Sequence, residues 1–296
     1  MSAALLLAAG LLLSDPPLPA SGEAVEAVVV VAVENMYSAA DADADVVSQA
    51  TLGQVVGVLE KKAGFARVRT PDRYEGWIPG SAILEYADPA APRYARRGRV
   101  VEVTSLMANV YREPDVTTAR PRAQAPLATR LEVAGEGPGE RWLSVSLPGG
   151  GKGYVQRGDV REVDAGAPPP RGSGEQIVAT ARRFLGVPYL WGGMTARGID
   201  CSGLASRAYH ANGIEIPRDA DLQFLDPGAR RVERGELQPG DLLFFGSDPK
   251  SISHVGLYLA DGHFINATTY ETPVVREDRL DDPHWSALYQ GARRPR

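Results

Sequence analysis

From about residue 26 to 163 the apolar positions fall in short runs of Val, Leu and aromatics, separated by Gly, Pro and Asp. Val28-Val29-Val30-Val31, Gly53 to Leu59 and Phe65 to Arg69 have the length of strands, and no helical period is sustained through them. The stretch also echoes itself. Asn35-Met36-Tyr37 returns as Asn109-Val110-Tyr111, and Gly76-Trp77-Ile78 as Gly153-Tyr154-Val155. Two strand-built units of similar length predict two small barrels, over residues 26–90 and 96–164. A Pro- and Gly-rich linker, 165–174, closes this half.

Beyond the linker the texture changes. Ile177, Val178, Ala181, Phe184 and Leu185 recur at helical spacing, which predicts a helix from Glu175 to Leu185 stopped by Gly186. A second helix is predicted from Ser202 to Asn212, with Leu204, Ala205, Ala208 and Tyr209 on one side and Gly213 as its stop. Residues 175–296 therefore form a separate block with its own core.

Composition narrows the classes. The chain has 296 residues and a formal net charge of −5, which leaves no basic footprint for nucleic acid. The run from Met1 to Leu13 is too short to span a bilayer but has the length of a signal-peptide core, although no Lys or Arg precedes it. Residues 1–25 are thus expected to be a leader. The expected location is periplasmic or secreted, the alternative being a cytoplasmic protein of cell-wall peptide recycling. No later segment is long and apolar enough for a membrane helix, and a monomer is expected.

There is one cysteine, Cys201, so neither an internal disulfide nor a thiolate metal site is available. It lies in Asp200-Cys201-Ser202-Gly203-Leu204. Asp200 is a good N-cap and places the thiol on the first helical turn, where the dipole favours thiolate and backbone N–H groups can hold an oxyanion. Small Ser202 and Gly203 are expected to leave room for a substrate. An isolated cysteine is otherwise most often a small core residue.

A nucleophilic cysteine needs a base and a group that orients the base. Of four histidines, His210 is on the cysteine's own helix and His284 lies in a loop-like stretch. His254 opens the alternating run to Leu259, facing away from Val255, Leu257 and Leu259, beside a glycine expected to clear space. The orienting group is His263 or Asn266, across the Asp261-Gly262 turn. A two-residue connection puts His263 on the face of His254; a three-residue one puts Asn266 there. Phe264 and Ile265 are both apolar, so the pattern leaves both open.

Four segments in order resemble the NlpC/p60 papain-like cysteine peptidases: Pro188 to Gly193, Asp200 to Leu204, Leu237 to Phe245 and His254 to Leu259. The landmarks of residues 26–164 resemble tandem bacterial SH3-like domains. The resemblance implies an α+β chain, a papain-like peptidase domain preceded by two SH3-like barrels. It also places the third catalytic member at Asn266, beside Cys201 and His254, with no metal or cofactor.

Within the family the chain resembles the γ-D-glutamyl-L-diamino-acid endopeptidases, which cut peptidoglycan stem peptides carrying a free N-terminal L-Ala. That likeness implies substrate contacts from Tyr74 and Asp45 of the first barrel and from Tyr189, Trp191, Asp200, Ser202 and Asp219. Ala220 stands where close relatives carry a hydroxyl. The competing readings are a broader murein endopeptidase on intact wall, with the barrels as anchors, and an inactive wall-binding protein.

Overall fold

The computed structural model describes residues 25–167 and 169–296. The expected leader lies, but for Val25, outside the described residues. No helix among the described residues is long and apolar enough to cross a membrane.

The first barrel consists of β1 (Val25–Val29), β2 (Val33–Tyr37), β3 (Val46–Thr51), β4 (Val55–Lys62), β5 (Phe65–Arg69), β6 (Glu75–Pro79) and β7 (Ile83–Glu85). The second consists of β8 (Arg99–Val103), β9 (Met107–Tyr111), β10 (Pro121–Pro126), β11 (Arg130–Glu136), β12 (Trp142–Ser146), β13 (Lys152–Gln156) and β14 (Val160–Asp164). Their strand orders, β3-β2-β6-β5-β4-β1-β7 and β10-β9-β13-β12-β11-β8-β14, are the same order displaced by seven strands.

The sequence echo has a steric cause. Tyr37 pairs with Trp77 and Tyr111 with Tyr154, each next to a glycine. A Cβ on Gly76 would lie 2.9 Å from Met36, and one on Gly153 2.5 Å from Val110. Only glycine lets these strands close over the core residue beneath. Edge-on ring pairs, Tyr37 with Phe65 and Tyr111 with Trp142, sit at the same place in both barrels.

After the linker, α1 spans Gly174–Arg182, opened by a capping box of Ser173 and Gln176. It ends short of the expected Leu185, because the N–H groups of Arg183, Phe184 and Leu185 bond three residues back and tighten the last turn. A two-residue hairpin, β15 (Met194–Thr195) with β16 (Gly198–Ile199), leads into α2 (Cys201–His210), and α3 (Ala220–Leu225) follows.

The remaining strands are β17 (Ala229–Val232), β18 (Leu242–Gly246), β19 (Ile252–Tyr258), β20 (His263–Thr268), β21 (Val274–Arg279) and, after α4 (Pro283–Leu288), β22 (Tyr289–Pro295). They form one antiparallel sheet in the order β17-β22-β18-β19-β20-β21. One face, with Val255, Leu257, Ile265 and Ala267, packs with Leu204, Ala205 and Ala208 of α2 in the main core. The other carries Phe245, Phe264 and Trp285 in a smaller cluster. Burial of both faces ties the strand histidine to the cysteine helix.

Candidate active site

Asp200 caps α2 as its sequence requires, its carboxylate accepting from the Gly203 N–H at 2.6 Å. Cys201 is thereby the first helical residue, buried against β19, with the backbone N–H groups of Val255 and Ser202 turned toward its sulfur. Burial, reinforced by the Asp200 carboxylate, outweighs these donors and Arg218 and pushes the thiol up to about 12. The helix start expected to favour thiolate is thus opposed by desolvation of the buried thiol.

The space at Gly203 is also not left for a substrate. A Cβ there would lie 2.3 Å from the Gly193 carbonyl oxygen and 2.9 Å from the Asp200 carboxylate. Likewise the space beside Gly256 is filled by the Phe264 ring, 2.5 Å from a Cβ built there. Both glycines serve packing.

The β19–β20 connection decides which side chain meets His254. Leu259 N–H donates to His263 O at 2.9 Å, enclosing Ala260, Asp261 and Gly262, with Asp261 and Gly262 at φ 50° and 79°. The loop thus has three residues. His263 falls on the far face, against Arg279, and Asn266 falls on the face of His254. The ladder pairs Leu257 with Ile265 and Tyr258 with Phe264, and the side chains of His254 and Asn266 then bridge the strands. His254 Nε2 lies 2.8 Å from Asn266 Oδ1. This leaves Nδ1 as the ring atom available to a thiol.

Burial lowers the His254 imidazole to about 4, against the raising influence of Asn266 and Asp278. The resting pair is therefore a thiol and a neutral imidazole. The Trp285 ring stacks on His254 with centroids 5.0 Å apart at 24°. His284, in a stretch that reads as loop-like, lies with Trp285 on α4, because Pro283 at the helix start and the Asp282 cap form a short helix there.

Around this pair the first barrel supplies a wall. Arg218, 1 % exposed, donates to both carboxylate oxygens of Asp200 (3.1 and 2.6 Å), to Ser202 Oγ at 2.8 Å and, across the domain boundary, to Ser48 Oγ at 3.0 Å. Gln49 Oε1 accepts from the Met194 N–H at 2.9 Å. Gly192 packs so closely on β3 that a Cβ would lie 2.8 Å from Val46.

Tyr74 is presented by the turn from Thr70, which Arg73 completes at φ 67°. Burial and the Asp219 carboxylate facing it hold its phenol protonated well above the ordinary range. Asp219 precedes α3, yet its side chain makes no cap bond, and burial raises its carboxyl despite Arg218 at 4.0 Å. Tyr189 is half-buried near Cys201 and Asp200. Trp191 is 69 % exposed, standing out from the mouth rather than lining a closed wall. Asp45 is exposed beside Val46, and its carboxylate has no hydrogen bond to the peptidase block among the described residues.

Sequence reasoning missed Arg218, Asp278 and Trp285. Arg218, between Pro217 and Asp219, carries no sequence signal of its role, since an arginine in a polar loop reads as exposed. A cavity of about 490 Å³ lies elsewhere, at the junction of both barrels and α2, bounded by Arg207, Glu102, Arg130, His210 and Glu215. None of Cys201, His254 or Asn266 lines it. Among the described residues no cluster of His, Cys, Asp and Glu is arranged to hold a metal.

A cysteine at a helix start, a histidine on the strand against it and an amide on the next strand define a papain-like cysteine peptidase. Residues 186–294 match the model described as the NlpC/P60 family, and residues 36–83 that of the bacterial dipeptidyl-peptidase Sh3 domain. A γ-D-glutamyl-L-lysine dipeptidyl-peptidase of Bacillus cereus is 32% identical over 83% of this chain and 74% of its own. Dipeptidyl-peptidase 6 of Lysinibacillus sphaericus is 28% identical over 88% and 93%. The crystal structure of an NlpC/P60 family protein from Bacillus cereus superposes with a TM-score of 0.78 at 26% identity, over 91% of this chain and 99% of that one. The chain belongs to the NlpC/P60 family of cysteine peptidases.

Proposed function

We propose that this peptidase hydrolyses the γ-D-glutamyl–diamino acid bond of peptidoglycan stem peptides whose N-terminal L-Ala amine is free. Cys201, His254 and Asn266 carry the reaction. The thiol gives its proton to His254 Nδ1 as the sulfur attacks the γ-carbonyl, so the buried pair becomes charged only as the tetrahedral oxyanion forms. Cys201 N–H, which has no partner among the described residues, is aimed from the helix start as an oxyanion donor. His254 then protonates the departing amine of the diamino acid, and water, deprotonated by the same imidazole, releases the dipeptide.

The observation that carries the free-amine reading is the Tyr74–Asp219 pair. A carboxylate that forgoes its own helix cap meets a phenol from the first barrel at one end of the cleft. A carboxylate set against a phenol at this end suits an ammonium group, and an N-acylated peptide would bring it no charge to meet. The relative named for the γ-D-glutamyl-L-lysine bond supports the same substrate.

The test compares L-Ala-γ-D-Glu-L-Lys with its N-acetylated form. Cleavage of the free peptide and not the acetylated one is expected. Equal cleavage would favour a murein endopeptidase acting on intact wall. Cleavage of neither, with Cys201 unreactive to thiol reagents, would favour a wall-binding protein.

A further inference from the structure

An amide as third member brings no charge to the histidine it orients, but the next strand does. Asn266 is fully buried, and its Nδ2 donates to Asp278 Oδ2 at 2.9 Å. Asp278 lies on β21 opposite Phe264, diagonal to Asn266 on the same face. It is gripped by Arg276, whose Nε donates to Oδ2 at 3.0 Å and whose second nitrogen lies 2.9 Å from Oδ1. Arg276 is held in turn by Glu271 at 3.2 Å and lies over the Tyr270 ring. Tyr270 stacks on His284, and His284 meets Trp285 edge-on, so the chain of contacts returns to the face of His254.

We infer that Asp278 is a positioning residue of the Cys201–His254 pair, fixing the Asn266 amide and supplying through it the negative charge the amide lacks. An amide group is nearly symmetric in shape, and either end could face the imidazole. The acid behind it takes the NH₂ at 2.9 Å, with the Arg276 carbonyl oxygen a longer second acceptor at 3.4 Å, so the carbonyl oxygen points to His254. Nε2 then has to carry the proton, and Nδ1 is left with the lone pair that receives the thiol proton. When His254 becomes an imidazolium, the Asp278 carboxylate stabilises it. The other charged or titratable groups facing His254 are Asp200 at the start of α2, which acts in the same sense, and His284 on α4, which opposes it. Arg276 and, beyond it, Glu271 face Asp278.

The inference rests on the proposed roles of Cys201 and His254 and not on the substrate, so its test uses no peptide. Because the chain has a single cysteine, iodoacetamide alkylation reports Cys201 alone. Its rate is measured from pH 2.5 to 9 for the intact chain and for Asp278→Asn and Asp278→Glu, with thermal midpoints at each pH as a fold control. Asp278→Asn keeps an acceptor for Asn266 but loses the charge. It should move the limb that tracks His254 protonation down by about half a pH unit or more and slow alkylation at neutral pH about threefold or more. Asp278→Glu should retain the wild-type limb. An unshifted Asp278→Asn profile, a uniform loss of rate at every pH, or an Asp278→Glu profile matching Asp278→Asn would overturn the inference. Cleavage of the stem peptide is then measured separately, so loss of the substrate reading leaves this result standing.

Discussion

Replacing Arg218 by Met removes the one basic side chain among the described residues that pairs with Asp200, a carboxylate 6 % exposed. The Asp200 charge keeps its bonds from the Gly203 N–H and Ser202 Oγ, which do not neutralise it. Breaking a buried pair from one side costs about 3–5 kcal/mol, because the remaining charge stays out of water. At about 2–4 °C per kcal/mol, the melting transition of the peptidase block should fall by about 6–20 °C. The same change removes a bond to the barrel at Ser48 and takes a positive charge from beside the thiol, so kcat/KM should fall as well. Adding Asp200→Asn should restore a large part of the stability, since both charges are then gone. The assay is a double-mutant cycle by urea and thermal unfolding, with a coupling energy of about 2 kcal/mol or more expected. An Arg218→Met cost under about 1 kcal/mol, or additivity of the two changes, would refute the reasoning.

Two further outcomes follow from the site. Since burial holds His254 near 4 in the folded chain against 6.5 ordinarily, the unfolded chain takes up its proton first on acidification. Stability from this group is thus full above about 6.5 and falls toward pH 4, by about 3 kcal/mol at most, and His254→Gln should flatten that window in urea midpoints measured at several pH values. Tyr74→Phe removes the hydroxyl facing Asp219. It should raise KM for the free tripeptide about tenfold, with kcat nearly kept, while an unchanged ratio of free to N-acetylated cleavage would contradict an amine site there.

The sequence made the local parts of the site legible. Asp200 before a helical run and His254 in an alternating strand are short-range patterns, and each side chain sits where its pattern requires. The choice between His263 and Asn266 hung on one loop residue. Two consecutive left-handed residues, Asp261 and Gly262, suit either loop length, and the hydrogen bond from Leu259 to His263 fixes it. Long-range relations were not legible. Arg218 meets Ser48 across 170 positions, and Asp278 meets Asn266 only because two strands pair in one register. Gly203 and Gly256 were read as openings when tertiary neighbours had already taken their space.

The bridge from Ser48 through Arg218 to Asp200 bears on how such chains exchange parts. Barrels of this kind are commonly pictured as modules that recombine freely with whatever enzyme follows them. Here the arginine that pairs with the cap of the cysteine helix is held from its other side by a hydroxyl on the barrel, and Gln49 and Tyr74 join the same boundary. A barrel transplanted from another protein would have to bring all three contacts in register, or the recipient would lose the barrel's hold on Arg218 and the Met194 backbone together. The second barrel is tied to the block as well, by Leu127, which sits in the main core beside α2 and whose carbonyl oxygen accepts from buried Arg207, so a change of partner at either barrel would have to be answered in the block.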